Sequence, residues 1–293
     1  MYVHDIKNKK EVLKMTTYQN VKVQGLNIFY REAGDPSLPT LVLFHGFPSA
    51  SHMFRDLMPL LSDRFHVIAP DYPGFGQSSA PEHTEFDYTF DNLTNVMTAW
   101  LQQLQLTKFY MYVFDYGAPI GFRIAVAHPD WISGIISQNG NIYQAGLGSK
   151  WASRQDFWDH PTAAKRDTYR SAFAPATIKG QYTYGTRPGT VSPDGYMLDI
   201  AYTHGEDYAE RQLDLIYDYQ NNIKLYPEFQ AYLRQYQPRL LAVWGKNDPS
   251  FIYPGAEAFK KDDANATVEL VDSGHFALET HAAVIATMIK TTF

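Results

Sequence analysis

Polar and apolar residues alternate in two bursts between Gln19 and Arg31, Val21-Lys22-Val23 and Ile28-Phe29-Tyr30, parted by Gly25. Period-two alternation around a turn residue predicts two antiparallel strands near the edge of a sheet. After them the pattern changes to short, mostly apolar runs: Leu41 to Phe44, His66 to Ala69, Phe109 to Phe114, Ile132 to Ile136, Leu240 to Trp244 and Val268 to Val271. Runs of this length fit strands of a parallel sheet buried on both faces. Helix-like stretches separate them at Ser51 to Leu61, Asp91 to Leu104, Gly117 to His128 and Leu278 to Ile289. Strand alternating with helix implies right-handed crossovers, hence an α/β protein with a mostly parallel central sheet flanked by helices.

About a hundred residues between Ile136 and Leu240 break this rhythm, with no convincing buried strand. They read as a mainly helical cap inserted after the sixth strand, and residues 141–235 hold 11 of the chain's 21 tyrosines. Ligands of open α/β sheets bind beyond the carboxyl ends of the strands, so a lid over those ends is the expected role. The organisation predicted is an N-terminal extension over 1–17, a core domain formed by 18–140 and 236–293, and a cap over 141–235.

Composition then closes several classes. With 293 residues, 45% hydrophobic and 19% charged, the chain can bury a sizeable core and is not a disordered segment. A net charge of -6 leaves no excess of Lys and Arg to neutralise phosphates, which argues against a nucleic-acid partner. The short basic stretch Lys7, Lys9, Lys10 and Lys14 reads as a solvated tail, and Met15 is an alternative start. Without cysteine there is no disulfide, thiolate metal site or cysteine nucleophile, which suits a reducing compartment. Neither a secretory signal nor a run of about 18 apolar residues occurs, so a soluble, cytoplasmic protein without a membrane partner is expected.

The strongest chemical signal is Val113-Phe114-Asp115-Tyr116-Gly117-Ala118-Pro119-Ile120-Gly121, where a strand ends on Asp115 and small residues open the next helix. This is the outline of a nucleophile elbow, in which a sharply turned residue is lifted out of the sheet and its neighbours must be small. Asp115 could equally serve as a helix N-cap. A serine hydrolase is disfavoured, since G-x-S-x-G occurs nowhere in the chain. The surroundings favour the elbow. His45-Gly46-Phe47-Pro48 follows the run Leu41 to Phe44, where the Phe47 N–H can form an oxyanion hole with the Tyr116 N–H. Asp248 follows the strand ending at Trp244, and His275 follows the last strand. Nucleophile, acid and histidine thus occur in the chain order that such an elbow predicts, each just past a strand end. His45 and His281 are rejected as the base, the first for its place in the oxyanion loop and the second for its place in the following helix.

The segments HGFPSASHMFR (45–55), PDYPGFGQSSAP (70–81), VFDYGAPIGFR (113–123), WGKNDP (244–249) and SGHFALE (273–279) resemble those of α/β-hydrolase-fold enzymes of the aspartate-nucleophile branch, close to epoxide hydrolases and haloalkane dehalogenases. The resemblance runs from about Tyr18 to Phe293. It implies an alkyl-enzyme ester at Asp115, hydrolysed by water that His275 and Asp248 activate, with no cofactor and no metal. It also implies cap tyrosines that protonate an epoxide oxygen; Tyr217 and Tyr219, about thirty residues before Asp248, and Tyr143 and Tyr169 are the candidates. The halide-binding pattern is departed from, because Tyr116 stands where dehalogenases carry Trp and Phe47 where they carry Asn, whereas Val113 is the more dehalogenase-like residue. The arginine that a fluoroacetate-type dehalogenase would carry soon after the nucleophile is replaced by Ala118-Pro119. An epoxide hydrolase is the leading expectation and a haloalkane dehalogenase the alternative. A non-catalytic ligand-binding protein on the same scaffold and an ester or C–C bond hydrolase stand behind them. The aromatic cap points to a small, largely apolar organic substrate that reacts with water.

Overall fold

A computed structural model describes residues 15–203 and 205–293. The basic stretch Lys7 to Lys14 and most of the expected N-terminal extension lie outside the described residues. The two alternating bursts form strands β1 (Thr17–Val23) and β2 (Leu26–Ala33), paired antiparallel from Thr17 opposite Glu32 to Val23 opposite Leu26. Their turn places Gln24 at φ 50° and Gly25 at φ 83°, the doubly left-handed conformation that suits a two-residue hairpin.

The remaining strands are β3 (Thr40–Phe44), β4 (His66–Pro70), β5 (Phe109–Phe114), β6 (Ile132–Gln138), β7 (Leu240–Gly245) and β8 (Ala266–Val271). Among the described residues they join one sheet in the order β1-β2-β4-β3-β5-β6-β7-β8, antiparallel at the β1–β2 and β2–β4 contacts and parallel elsewhere. Successive residues point to opposite faces, so each central strand feeds two cores. Val42, Phe44, Met111 and Val113 enter the core beneath the helices Phe90–Gln103 (α2) and Gly117–Ala127 (α3). Leu41, Leu43, Tyr112 and Phe114 enter the other, against Leu57–Leu61 (α1) and Leu278–Thr292 (α10). The run ending at Val271 is not buried on both faces as its composition suggested. It is the outer strand of the sheet, with Leu270 41% exposed.

The helix expected over Ser51 to Leu61 divides into a single tight turn, Ser51–Phe54, and α1. Pro59 accounts for the break: it donates no N–H and its ring would collide with the carbonyl four residues back, at Arg55.

Between Gln138 and Leu240 the described residues form helices and turns. These are α4 (Trp151–Asp159), α5 (Ala163–Thr168), α6 (Pro175–Thr183), α7 (Pro193–Tyr202) and α8 (Glu206–Tyr236), with one isolated bridge from Leu147 to Phe251. The helix α8 belongs to both parts of the molecule. Its start packs among the cap helices, while its later turns lie on α3, where Phe229 meets Phe122 at 5.7 Å and Asn222 accepts a 2.7 Å hydrogen bond from Arg123. No helix among the described residues is long and apolar enough to cross a membrane. The helix α9 (Pro254–Asp262) covers β8 and completes the core.

Candidate active site

Three strand ends converge beneath the cap. At the end of β5 the chain turns so sharply into α3 that Asp115 takes φ 48°, a left-handed conformation unusual for an L-residue and one that lifts its side chain out of the sheet. The turn depends on small neighbours. A Cβ on Gly117 would lie 2.3 Å from the Phe44 carbonyl oxygen, and one on Gly46 would lie 2.3 Å from the Asp115 Cβ.

The two oxygens of Asp115 have different surroundings. Oδ1 accepts a 2.7 Å hydrogen bond from the Phe47 N–H, and the Tyr116 N–H also favours the ionised carboxylate. Oδ2 faces His275 Nε2 at 3.7 Å. One oxygen is thus held by backbone N–H while the other faces only the imidazole. Burial pushes the Asp115 carboxyl above the ordinary carboxylate range, opposed by His275 and the two backbone N–H groups.

His275 Nδ1 donates to Asp248 Oδ2 at 2.6 Å, which orients the ring and leaves Nε2 toward Asp115. Burial pulls this imidazole down, but the Asp248 and Asp115 carboxylates outweigh it and hold His275 above its ordinary value. Asp248 is itself fixed by its turn, where Oδ1 accepts from the backbone N–H of Ser250 at 2.7 Å and of Phe251 at 3.2 Å. Two amides at the end of β6, unassigned in the sequence reading, complete this support. Asn139 Nδ2 donates to Asp248 Oδ2 at 2.8 Å, and Gln138 Nε2 donates to the His275 carbonyl at 2.9 Å. Their signal was the placement of polar residues at the end of a buried strand, where something must satisfy them.

His45 is fully buried, with Nδ1 near the Gly46 carbonyl at 3.1 Å and Nε2 accepting from the Tyr72 N–H at 3.3 Å. Burial lowers it to about 3, so it stays neutral and holds the oxyanion loop in shape. The Phe47–Pro48 peptide of that loop is cis. His281 lies at a kink in α10, within 2.8 Å of the Thr280 hydroxyl, and does not reach the cluster.

Asp115, His275 and Asp248 open onto a cavity of about 340 Å³ whose wall includes Phe47, Tyr116 and Trp151. None of the four tyrosine candidates is in that wall, whose tyrosines are Tyr116 and Tyr184. Tyr217 is 38% exposed and packs on Phe157, which Tyr169 also contacts, and Tyr143 packs edge-on against Phe259. Tyr219 is fully buried directly behind the wall, 4.8 Å from the Trp151 ring and 5.9 Å from the Tyr116 ring. Among the described residues its hydroxyl has no hydrogen-bond partner of normal geometry, although it interacts with the Tyr226 hydroxyl and the Asp115 charge, and burial keeps it protonated. Tyr226 escaped the sequence reading. It is held by a 3.3 Å hydrogen bond from Asn141, and its spacing of seven from Tyr219 on one helix was the available sign.

Residues 39–282 match the family described as alpha/beta hydrolase fold. The chain belongs to the α/β-hydrolase family. It is 44% identical over 283 residues to an uncharacterized hydrolase of Saccharomyces cerevisiae, covering 94% of this chain and 97% of that one. A haloalkane dehalogenase 1 of Mycobacterium tuberculosis is 41% identical over 103 residues, which is 35% of this chain and 34% of the dehalogenase. Among solved structures, the haloalkane dehalogenase DbeA of Bradyrhizobium elkani superimposes with a TM-score of 0.76 at 21% identity, over 95% of this chain and 99% of the other. The Burkholderia cenocepacia protein Cfl2 reaches 0.80 at 20% identity, over 95% and 96%. At those identities the two structures speak for the fold. The α/β-hydrolase family membership makes this chain a hydrolase with haloalkane-dehalogenase-like relatives.

Proposed function

We propose that this hydrolase opens an epoxide through a covalent ester on Asp115. The observation that carries the reading is the division of labour between the Asp115 oxygens, with Oδ1 on the Phe47 N–H at 2.7 Å and Oδ2 free beside His275. A carboxylate attacks an sp3 carbon without a base, which suits Asp in the place that serine takes in other members. Oδ2 forms the bond to carbon as the ring C–O bond breaks, and the ring oxygen takes a proton from the Tyr219 hydroxyl. His275 then removes a proton from water, and the hydroxide adds to the Asp115 Cγ. Negative charge grows on Oδ1, which already lies against the Phe47 and Tyr116 N–H groups. Collapse breaks the Cγ–Oδ2 bond, releases the diol with a proton from imidazolium, and leaves a water oxygen in Asp115, whose remaining carboxyl proton returns to the Tyr219 phenolate.

Haloalkane dehalogenation is the second reading, favoured by the local identity to a dehalogenase of Mycobacterium tuberculosis. Tyr116 and Phe47 in the halide-donor places weigh against it.

A single turnover in heavy-oxygen water with a panel of aryl and alkyl epoxides and haloalkanes tests both readings. Label in the Asp115 peptide together with diol is the expected result. Free halide would move the assignment to dehalogenation, and product without label would remove the ester. Tyr219→Phe is expected to slow ester formation from epoxides by about 10²-fold, in the range for a general acid, while leaving hydrolysis of preformed ester unaltered.

A further inference from the structure

The cavity wall also contains two cations from the cap, Lys150 and Arg154. They stand one turn apart at the start of α4, Lys150 at the N-cap and Arg154 four residues on. Like charges at that spacing repel on a shared helix face, and both sit at the positive end of the helix dipole. Lys150 is exposed and Arg154 half-buried, so water screens part of this repulsion, and an anion held between them would relieve the rest. The wall supplies no spare carboxylate, because its two acids are Asp115 and Asp248. Asp248 is engaged by His275, Asn139 and two backbone N–H groups; Asp115, whose ionised form Arg154 helps to favour, keeps Oδ1 on the Phe47 N–H and loses its charge once Oδ2 bonds to substrate, leaving the cations without it. On α4 itself, Asp156 is paired with Lys165 at 2.8 Å and Asp159 accepts from Gln155.

Arg154 is also held in place. Trp151, between the two cations, is buried and donates its indole N–H to the Ser250 carbonyl at 3.0 Å, fixing the start of α4 to the core. The Arg154 guanidinium lies over the Trp151 ring at 4.3 Å. That stack presents a planar fork of donors, the geometry that grips a carboxylate with two hydrogen bonds.

We propose that Lys150 and Arg154 form a carboxylate-binding subsite, so that the substrate has an apolar body carrying the electrophilic carbon and an anionic carboxylate at its far end. The inference rests on the Asp115 reading for its substrate and on the cavity wall for its anion.

The test compares kcat/KM for a terminal epoxide bearing an ω-carboxylate with that for its methyl ester of equal chain length. The acid is expected to be favoured by roughly tenfold to hundredfold, the range of charge-assisted hydrogen bonds. In the double variant K150Q/R154Q the ratio should fall to about one, and R154E should turn the preference toward the ω-ammonium analogue. Equal turnover of acid and ester by the wild type, or a ratio that survives the double variant, would overturn the proposal. Binding of the saturated ω-carboxylic acid, followed by calorimetry and by quenching of tryptophan fluorescence, is measured in parallel and needs no turnover. If no epoxide reacts yet the wild type binds this acid and K150Q/R154Q does not, the subsite stands and the epoxide reading fails. If the wild type does not bind it, the subsite fails whatever the chemistry.

Discussion

Two buried histidine–carboxylate pairs lie beneath the cap, and they are wired differently. His275 gives Nδ1 to Asp248 at 2.6 Å and turns Nε2 toward Asp115 and the cavity. His52, on the core turn Ser51–Phe54, uses Nε2 for Asp199 of the cap helix α7 at 3.0 Å, and the same nitrogen lies 3.4 Å from the Ser49 hydroxyl. Among the described residues its Nδ1 has no hydrogen-bond partner, and none of Ser49, His52 or Asp199 lines the cavity. Asp199 also accepts a short hydrogen bond from Tyr182, whose ring stacks on Phe276 at 3.8 Å, next to His275. Serine, histidine and aspartate therefore meet in the second cluster without a relay, because both partners compete for one nitrogen. The comparison shows what a His–Asp pair needs before it can act as a base: its other nitrogen must face a second group and open space, as in His275. Without these it fastens cap to core.

Substitutions separate the two roles. Asp115→Ala is expected to lower turnover by about 10⁴-fold or more, measured with any substrate found active, since it removes the nucleophile itself. His275→Ala should cut steady turnover by about 10²–10⁴-fold while leaving alkylation intact, so that mass spectrometry finds the Asp115 peptide heavier by one substrate. Appearance of free product at the wild-type rate in that variant would assign the base elsewhere.

The pH profile sharpens the contrast. His275 must be neutral to take a proton from water, and its carboxylate neighbours raise it above its ordinary value of 6.5. Hydrolysis of the ester, in which Asp115 carries no charge and Asp248 alone supports the imidazolium, should decline by about tenfold per unit as pH falls through the His275 value, with ester accumulating in a burst. The smallest kinetic effect belongs to the second cluster. His52→Ala should leave kcat within about twofold, since His52 lies outside the cavity wall, yet cost about 2–3 kcal/mol by leaving the Asp199 carboxylate buried without its partner. For a chain of this size that lowers Tm by roughly 4–12 °C, readable by calorimetry. A loss of kcat as large as that of His275→Ala would erase the distinction.

The core side of the site was legible residue by residue, whereas the cap side was legible only as a region. Asp115, Asp248 and His275 each follow an apolar run, and a run buried on both faces has one place in a parallel sheet, so its end has one place as well. Tyr217 and Tyr219 illustrate the opposite case. Two residues apart on a helix they point about 200° apart, so the same spacing from Asp248 suits both, and only packing puts Tyr219 inward and leaves Tyr217 exposed. Tyr143 and Tyr169 likewise lie outside the cavity wall, against Phe259 and Phe157, a placement no spacing along the chain records.

By itself, the sequence determined the α/β layering, the hairpin at Gly25, the cap's place after the sixth strand and the order of the three strand-end residues. Alternation and apolar runs encode these locally. Tertiary structure alone decided that Asn139 and Gln138 brace the acid and histidine, that His52 is spent on the cap, and that Lys150 and Arg154 enter the cavity wall. Which face a helix turns inward, and which nitrogen of a histidine is left free, depends on partners about fifty to 150 residues away in the chain. No local pattern records that choice.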